Sequence, residues 1–193
     1  HDAERAAEKT LDKATELLTD LESRYSRYQP TSLISNINNR AGSGRFTELD
    51  PETKALFDLA GQLWRESGGL FDITSGPLRH AWCFQVGGHA APDRISHFLD
   101  SVGYDLIEWR ENSCHLSKAG MEVDLGGIAK EFAVDSVADL LRSEGITSGL
   151  IDLAGDISVI GKQGDGSPWK IGIQDPGGPG SLCTVNLVDA ALA

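Results

Sequence analysis

The sequence predicts an α+β chain, and three observations lead there. Apolar residues recur at helical spacing near the N-terminus, a period-two segment breaks through two glycines into a second helical pattern, and short apolar strands fill the last third. The turn at Gly126-Gly127 is the centre of the reading. Met121, Val123 and Leu125 alternate with Glu122 and Asp124, predicting a strand, while Ile128, Phe132, Val137, Leu140 and Leu141 continue at roughly helical spacing.

In chain order, Ala7, Leu11, Ala14, Leu18, Leu21 and Tyr25 predict an amphipathic helix. Pro30 ends it, and Thr31 or Ser32 can cap a short second helix. Residues 41–45 form a glycine-rich turn. Asp50 and Pro51 then stand as N-cap and first residue of a helix whose apolar face is Leu56, Leu59, Ala60, Leu63 and Trp64, and which stops near Gly68-Gly69. Residues 87–92 read as a loop and 93–102 as a short helix. Leu106 to Trp109 and Cys114 to Leu116 form a hairpin around Glu111-Asn112-Ser113. After the central helix, which Gly145 ends, strands follow at Gly149 to Leu153, Val159 to Gly161, Trp169 to Ile173 and Cys183 to Val188.

At 193 residues the chain suffices for one good-sized core or two small lobes. A formal net charge of −12 repels phosphate backbones and anionic membranes, which argues against nucleic-acid binding and requires any anionic ligand to be held by local donors. Cys83, Cys114 and Cys183 follow no metal or redox spacing, and read as buried free thiols, with one disulfide compatible with export. His80, His89, His97 and His115 have no metal-ligand spacing and receive no chemistry. No apolar run approaches the roughly 18 residues that span a bilayer, and the chain as given reads as soluble. It begins at His1 instead of Met, as a trimmed or processed chain would, so the missing leader says nothing about compartment.

A strand that turns through glycines into a helix presents backbone N–H groups to an anionic ligand, and glycine lets that ligand approach. Lys130 lies one turn in, and Asp124, at the strand end, suits a ribose hydroxyl, a base amine or the shell of a metal. The alternative is a glycine turn chosen for packing, with Lys130 in solvent.

The string D-L-G-G-I-A-K, followed by A-V-D, resembles the signature of the ApbE family of FAD:protein FMN transferases. S-R-Y-Q-P-T-S-L-I-S-N-I-N at 26–38 is similar to that family's S-x-Y-x-x-x-S-x-x-S-x-x-N. The stretch 68–84 resembles its G-x-F-D-x-T-x-G-P-L-x-x-x-W-x-F, and 167–176 is again family-like. Glu131, Cys83 and Ala154 stand where the family carries glycine. The resemblance implies mixed β-sheets with flanking helices, in one flavin transferase domain over 1–193 that is truncated at both ends relative to the family. It implies Tyr28, Leu70, Phe71, Asp72, Asp124 and Lys130 as contacts to FAD, with Asn38 nearby, and the carbonyl of Gly127 as a ligand to Mg²⁺. No catalytic residue is assigned.

The reaction implied moves FMN from FAD to a Thr or Ser hydroxyl of an acceptor protein and releases AMP. FAD hydrolysis to FMN and AMP, or a non-catalytic FAD-binding remnant, are the alternatives. The family's M-G-T strand, its H-x-x-D-P-x-T-G segment and its D-x-x-x-T metal ligands have no counterpart here, so exposed sheet edges are expected. The resemblance also implies a periplasmic or membrane-anchored location, through a lipid anchor outside this chain.

Overall fold

The computed structural model describes residues 2–82 and 92–193. The expected features at Cys83, Phe84, His89 and the loop from 87 lie outside the described residues. The chain divides into two compact units, one of residues 1–21 with 128–193 and the other of residues 22–127.

Helix α1 (Asp2–Tyr25) begins in the first unit and ends in the second. In the second unit, α2 (Leu33–Asn39) starts where Ser32 Oγ accepts the N–H of Ser35 at 2.9 Å, satisfying one of the open donors of the first turn. β1 (Thr47–Glu48) follows, and then α3 (Pro51–Glu66), capped as expected by Asp50. Asp50 accepts the Thr53 N–H at 3.0 Å and the Thr53 hydroxyl at 2.6 Å, and Arg24 reaches both of its oxygens at 3.0 Å. A 3₁₀ turn covers Gly76–Ala81, and α4 (Pro92–Leu99) starts one residue before the predicted range and ends three residues short of it.

The predicted hairpin forms as β2 (Ile107–Arg110) and β3 (Ser113–Leu116), with β1 on the far side of β3. β2 carries Trp109 on the face of buried Ile107, set edge-on to Phe57 of α3, while the Tyr104 hydroxyl donates to the Phe57 carbonyl at 2.8 Å. Ile34, Ile37, Leu56, Phe57, Leu116 and Val123 are buried in this unit.

In the first unit α5 (Ala129–Ser143) puts Val134, Val137 and Ala138 against Ala14 of α1 and against Ile151 and Ile160. Ile151 belongs to β4 (Gly149–Leu153) and Ile160 to β5 (Asp156–Ile160). β5 starts three residues before the predicted strand because the β4–β5 turn is only Ala154-Gly155, both at positive φ (57° and 101°), so pairing resumes at once with Leu153 opposite Asp156. β8 (Ala191–Leu192) extends that sheet, and β6 (Trp169–Gln174) pairs with β7 (Ser181–Leu187) in a two-stranded sheet.

The class is α+β as expected. Every named strand pair is antiparallel, and the one parallel contact among the described residues is the bridge of Ser75 with Glu122. One expectation needs correction: Met121 to Leu125 is not a regular strand. The burial alternates as the sequence predicts, Met121, Val123 and Leu125 buried and Glu122 and Asp124 half-buried. The ladder is replaced, however, by a side chain. Asn38 Oδ1 accepts the Val123 N–H at 2.7 Å and its Nδ2 donates to the Val123 carbonyl at 3.0 Å, while the Asp124 N–H donates to the Ile73 carbonyl at 2.7 Å and the Met121 N–H to the Lys118 carbonyl at 3.3 Å. An amide side chain carries the same donor and acceptor as a peptide unit, so it can stand in for a neighbouring strand.

Candidate functional site

The Asp124-to-Gly127 turn closes on itself before any ligand arrives. Asp124 Oδ1 accepts the Gly126 N–H at 2.9 Å, and residues 126–128 form a turn, so α5 begins at Ala129 with Ile128 as an N-cap that contributes no side-chain bond. The glycines are small for a reason. A Cβ on Gly127 would stand 3.2 Å from Cε2 of Phe71, and one on Gly126 would stand 3.1 Å from Oδ1 of Asp124.

Four of the residues singled out by sequence meet at this turn, within the unit of residues 22–127. Phe71 lies against Gly127. Asp124 Oδ2 is 2.7 Å from Arg27 Nε, and Arg27 Nη2 donates to the Tyr28 hydroxyl at 2.6 Å, with its guanidinium carbon 4.2 Å from the Tyr28 ring centre. Tyr28 is 78% exposed, leaving its other ring face open to a planar ligand. Leu70, 93% exposed, points its side chain to solvent. Asp72 is turned inward: Oδ1 accepts the Thr74 N–H and hydroxyl, each at 2.7 Å, and Oδ2 accepts the Tyr104 N–H at 2.9 Å. Its carboxylate holds the loop after Phe71.

Lys130 falls in the other unit, where its ammonium pairs with Asp156 of β5. The hydrogen bond to Asp156, opposed by partial desolvation and helped by the charges of Asp156 and Glu131, raises the ammonium above its ordinary value. Beside this pair a cavity of about 280 Å³ is lined by Glu131, Val134, Asp135, Asp156 and Ile157 together with residues 191–193.

A cavity of about 260 Å³ lies beside Arg27, lined also by Pro30, Ser35, Asn38, Asn39, Arg79 and Glu122. Arg79 pairs with Glu122 and donates to the Gly76 carbonyl at 2.9 Å. Burial, and then the charge of Arg27, lower the Arg79 guanidinium below its ordinary value, with Asp124 opposing. Arg27, Arg79 and Glu122 were not singled out by sequence reasoning. The available signal for Arg27 was a cation directly before an aromatic residue in the 26–38 motif.

The donors around Gly127 do not fit Mg²⁺. The ion demands near-octahedral oxygen ligation, whereas the turn offers one neutral carbonyl beside a carboxylate already bound by a guanidinium and a backbone N–H. Among the described residues no group of three His, Cys, Asp or Glu side chains is arranged to hold a metal. No helix among them is long and apolar enough to cross a membrane.

Comparison with known proteins gives a consistent picture. Residues 2–193 match the family model described as the ApbE family. The FAD:protein FMN transferase of Vibrio cholerae is 32% identical over 166 residues, covering 83% of this chain and 49% of that protein. The FAD:protein FMN transferase of Haemophilus influenzae is 29% identical over 178 residues, covering 88% of this chain and 51% of that protein. The chain therefore spans about half the length of these curated relatives. Among solved structures, the ApbE protein of Thermotoga maritima superposes with a TM-score of 0.87 at 25% identity, over 96% of this chain and 62% of that one. The flavin transferase ApbE of Vibrio cholerae gives 0.78 at 26% identity, over 88% and 56%.

Proposed function

The chain belongs to the ApbE family, and from that premise we propose that it binds FAD as a substrate for FMN transfer to an acceptor protein. In that reaction the oxygen of a Thr or Ser hydroxyl attacks the FMN phosphorus, the pyrophosphate P–O bond breaks, the hydroxyl proton leaves, and AMP departs. The observation that carries the reading is the meeting at one turn of Tyr28, Phe71, Asp124 and Gly127, drawn from family-like motifs far apart in sequence.

The residues present supply recognition. Tyr28 offers a ring face for the isoalloxazine, Phe71 an apolar wall, and Asp124 an acceptor for a hydroxyl or amine. When bound, Mg²⁺ would neutralise the pyrophosphate and the leaving phosphate. The described residues do not form its site, so FAD binding nearly independent of magnesium is expected, with no transfer by this stretch alone. That same observation favours a second reading, a chain that binds FAD without turning it over.

One experiment separates the readings: FAD titration with and without magnesium, then incubation with a Thr-bearing peptide, scored by mass of the flavinylated peptide and AMP release. Binding without either product supports recognition alone, FMN and AMP without peptide modification indicate hydrolysis, and absent binding refutes the flavin reading. A periplasm-facing location is proposed on family resemblance, and a periplasmic fractionation of the native protein tests it.

A further inference from the structure

Arg27 stands between two groups that the flavin reading treats as separate contacts. Its Nε meets Asp124 at 2.7 Å while its Nη2 meets the Tyr28 hydroxyl at 2.6 Å, and its guanidinium carbon lies 4.2 Å from the centre of the Tyr28 ring. The group is restrained from several sides. Its side chain is 23% exposed, its backbone carbonyl accepts the Ser35 hydroxyl of α2 at 3.4 Å, and Asp124 is fixed in turn by the Gly126 N–H. Tyr28, by contrast, is 78% exposed, and its backbone N–H donates to Ser26 Oγ at 3.3 Å. A phenol ring that open is free to change rotamer unless something holds it.

We propose that Arg27 is a positioning residue that locks the Tyr28 ring and the Asp124 carboxylate into one fixed spacing, so that a flavin nucleotide meets a prearranged stacking face and acceptor. The role rests on the flavin reading above. Only a planar fork can satisfy it: guanidinium donors diverge at fixed angles and the plane stacks on an aromatic face, whereas an ammonium is a point charge on a flexible stem. Prearrangement lowers the ordering cost of binding, so the gain appears as affinity without Arg27 itself touching the ligand. The neighbouring charge of Arg79, already matched by Glu122, does not compete for Asp124 with a closer contact.

The test follows flavin fluorescence during FAD titration of the unmodified chain, Arg27→Met, Arg27→Lys, Asp124→Asn and the Met/Asn double variant, with melting curves alongside. Arg27→Met should weaken FAD binding about tenfold, the scale of a charge-assisted hydrogen bond. It should also reduce the quenching at saturation, since the Tyr28 ring no longer has one orientation. Arg27→Lys keeps the charge opposite Asp124 and should recover part of the affinity without the quenching. Asp124→Asn should cost less in the Arg27→Met background than alone.

A purely structural Arg27 would lower the melting temperature and leave quenching at saturation unchanged, which overturns the proposal. Should Arg27→Met fail to fold, Arg27→Lys decides, and full quenching in it is equally fatal. FAD binding by the unmodified chain that Arg27→Met does not alter removes the positioning role alone. No binding by the unmodified chain removes the flavin reading and the positioning role with it.

Discussion

Replacing Asp50 by alanine tests whether α3, which delivers the chain to Leu70, Phe71 and Asp72, depends on its cap. The carboxylate accepts two bonds from Thr53 and faces the Arg24 guanidinium. Burial alone would raise its pKa, but the Thr53 hydroxyl and N–H and the Arg24 charge outweigh burial and bring it down to about 2. Unscreened, that drop from 3.8 corresponds to about 2 kcal/mol. The side chain is 44% exposed, so solvent screening reduces the charge-dependent part to about 1 kcal/mol. Loss of the neutral part of the cap brings the total for Asp50→Ala to about 1.5 kcal/mol. For a chain of this size that is a melting temperature lower by roughly 3–6 °C at pH 7.

The sign is set by the direction of the shift. A depressed carboxyl contributes its stability fully above pH 3.8 and loses it as pH falls toward about 2. The gap between the unmodified chain and Asp50→Ala should therefore be constant from pH 7 to pH 5 and narrow between pH 4 and pH 2. Asp50→Asn, which keeps an acceptor, should lose less than alanine and narrow over the same window. Urea unfolding followed by tryptophan emission measures this. A gap below a few tenths of a kcal/mol, or one that ignores pH, would refute the assignment of the cap and its ion pair.

Gly127→Val should crowd Phe71, at an overpacking cost of about 1–3 kcal/mol, and should weaken FAD binding more than it lowers the melting temperature; parallel titration and melting decide, and an unchanged titration counts against the site. Asn38→Ala leaves the buried Val123 N–H and carbonyl without their side-chain partner, and should cost about 2–3 kcal/mol in urea unfolding. A loss under 0.5 kcal/mol, by the same scale, would mean that water replaces the amide. Burial pushes the Cys114 thiol up to about 12, so iodoacetamide at pH 8 should leave it unmodified in the folded chain while the exposed Cys183 reacts. Site mapping by mass spectrometry checks this, and equal labelling of the two would contradict it.

Local signals were legible where local chemistry decides the outcome. Ser32 and Asp50 cap the helices they precede, the hairpin of β2 and β3 falls where alternation placed it, and Gly149–Leu153 is a strand as read. The stretch from Met121 to Leu125 shows the limit. Its period-two pattern reports burial correctly, but the hydrogen-bond partner is an amide 85 residues away, which no periodicity reveals. The same holds for Lys130, whose spacing fits a phosphate and whose charge in the folded unit faces Asp156. β1 and β8, two residues each, are too short for any alternation to mark them. Of the expected flavin contacts, Phe71 and Asp124 lie at the glycine turn, while the inward turn of Asp72 depends on Thr74 and Tyr104, the second of them on a distant segment.

The sheet of β6 and β7 has, among the described residues, no third strand, and most of both strands' side chains are exposed or half-buried. A two-stranded ribbon is at best marginal alone, because each strand's backbone groups are protected by a single neighbour. Opening it therefore exposes little apolar surface, unlike opening α5 from β4 and β5, where Val137, Ala138 and Ile160 are buried. Under native conditions its amide hydrogens should exchange with solvent through local fraying, on a clock far faster than that of the helix-backed sheet. Two kinetic classes of β structure are therefore expected in one chain, with the exposed thiol of Cys183 in the faster one.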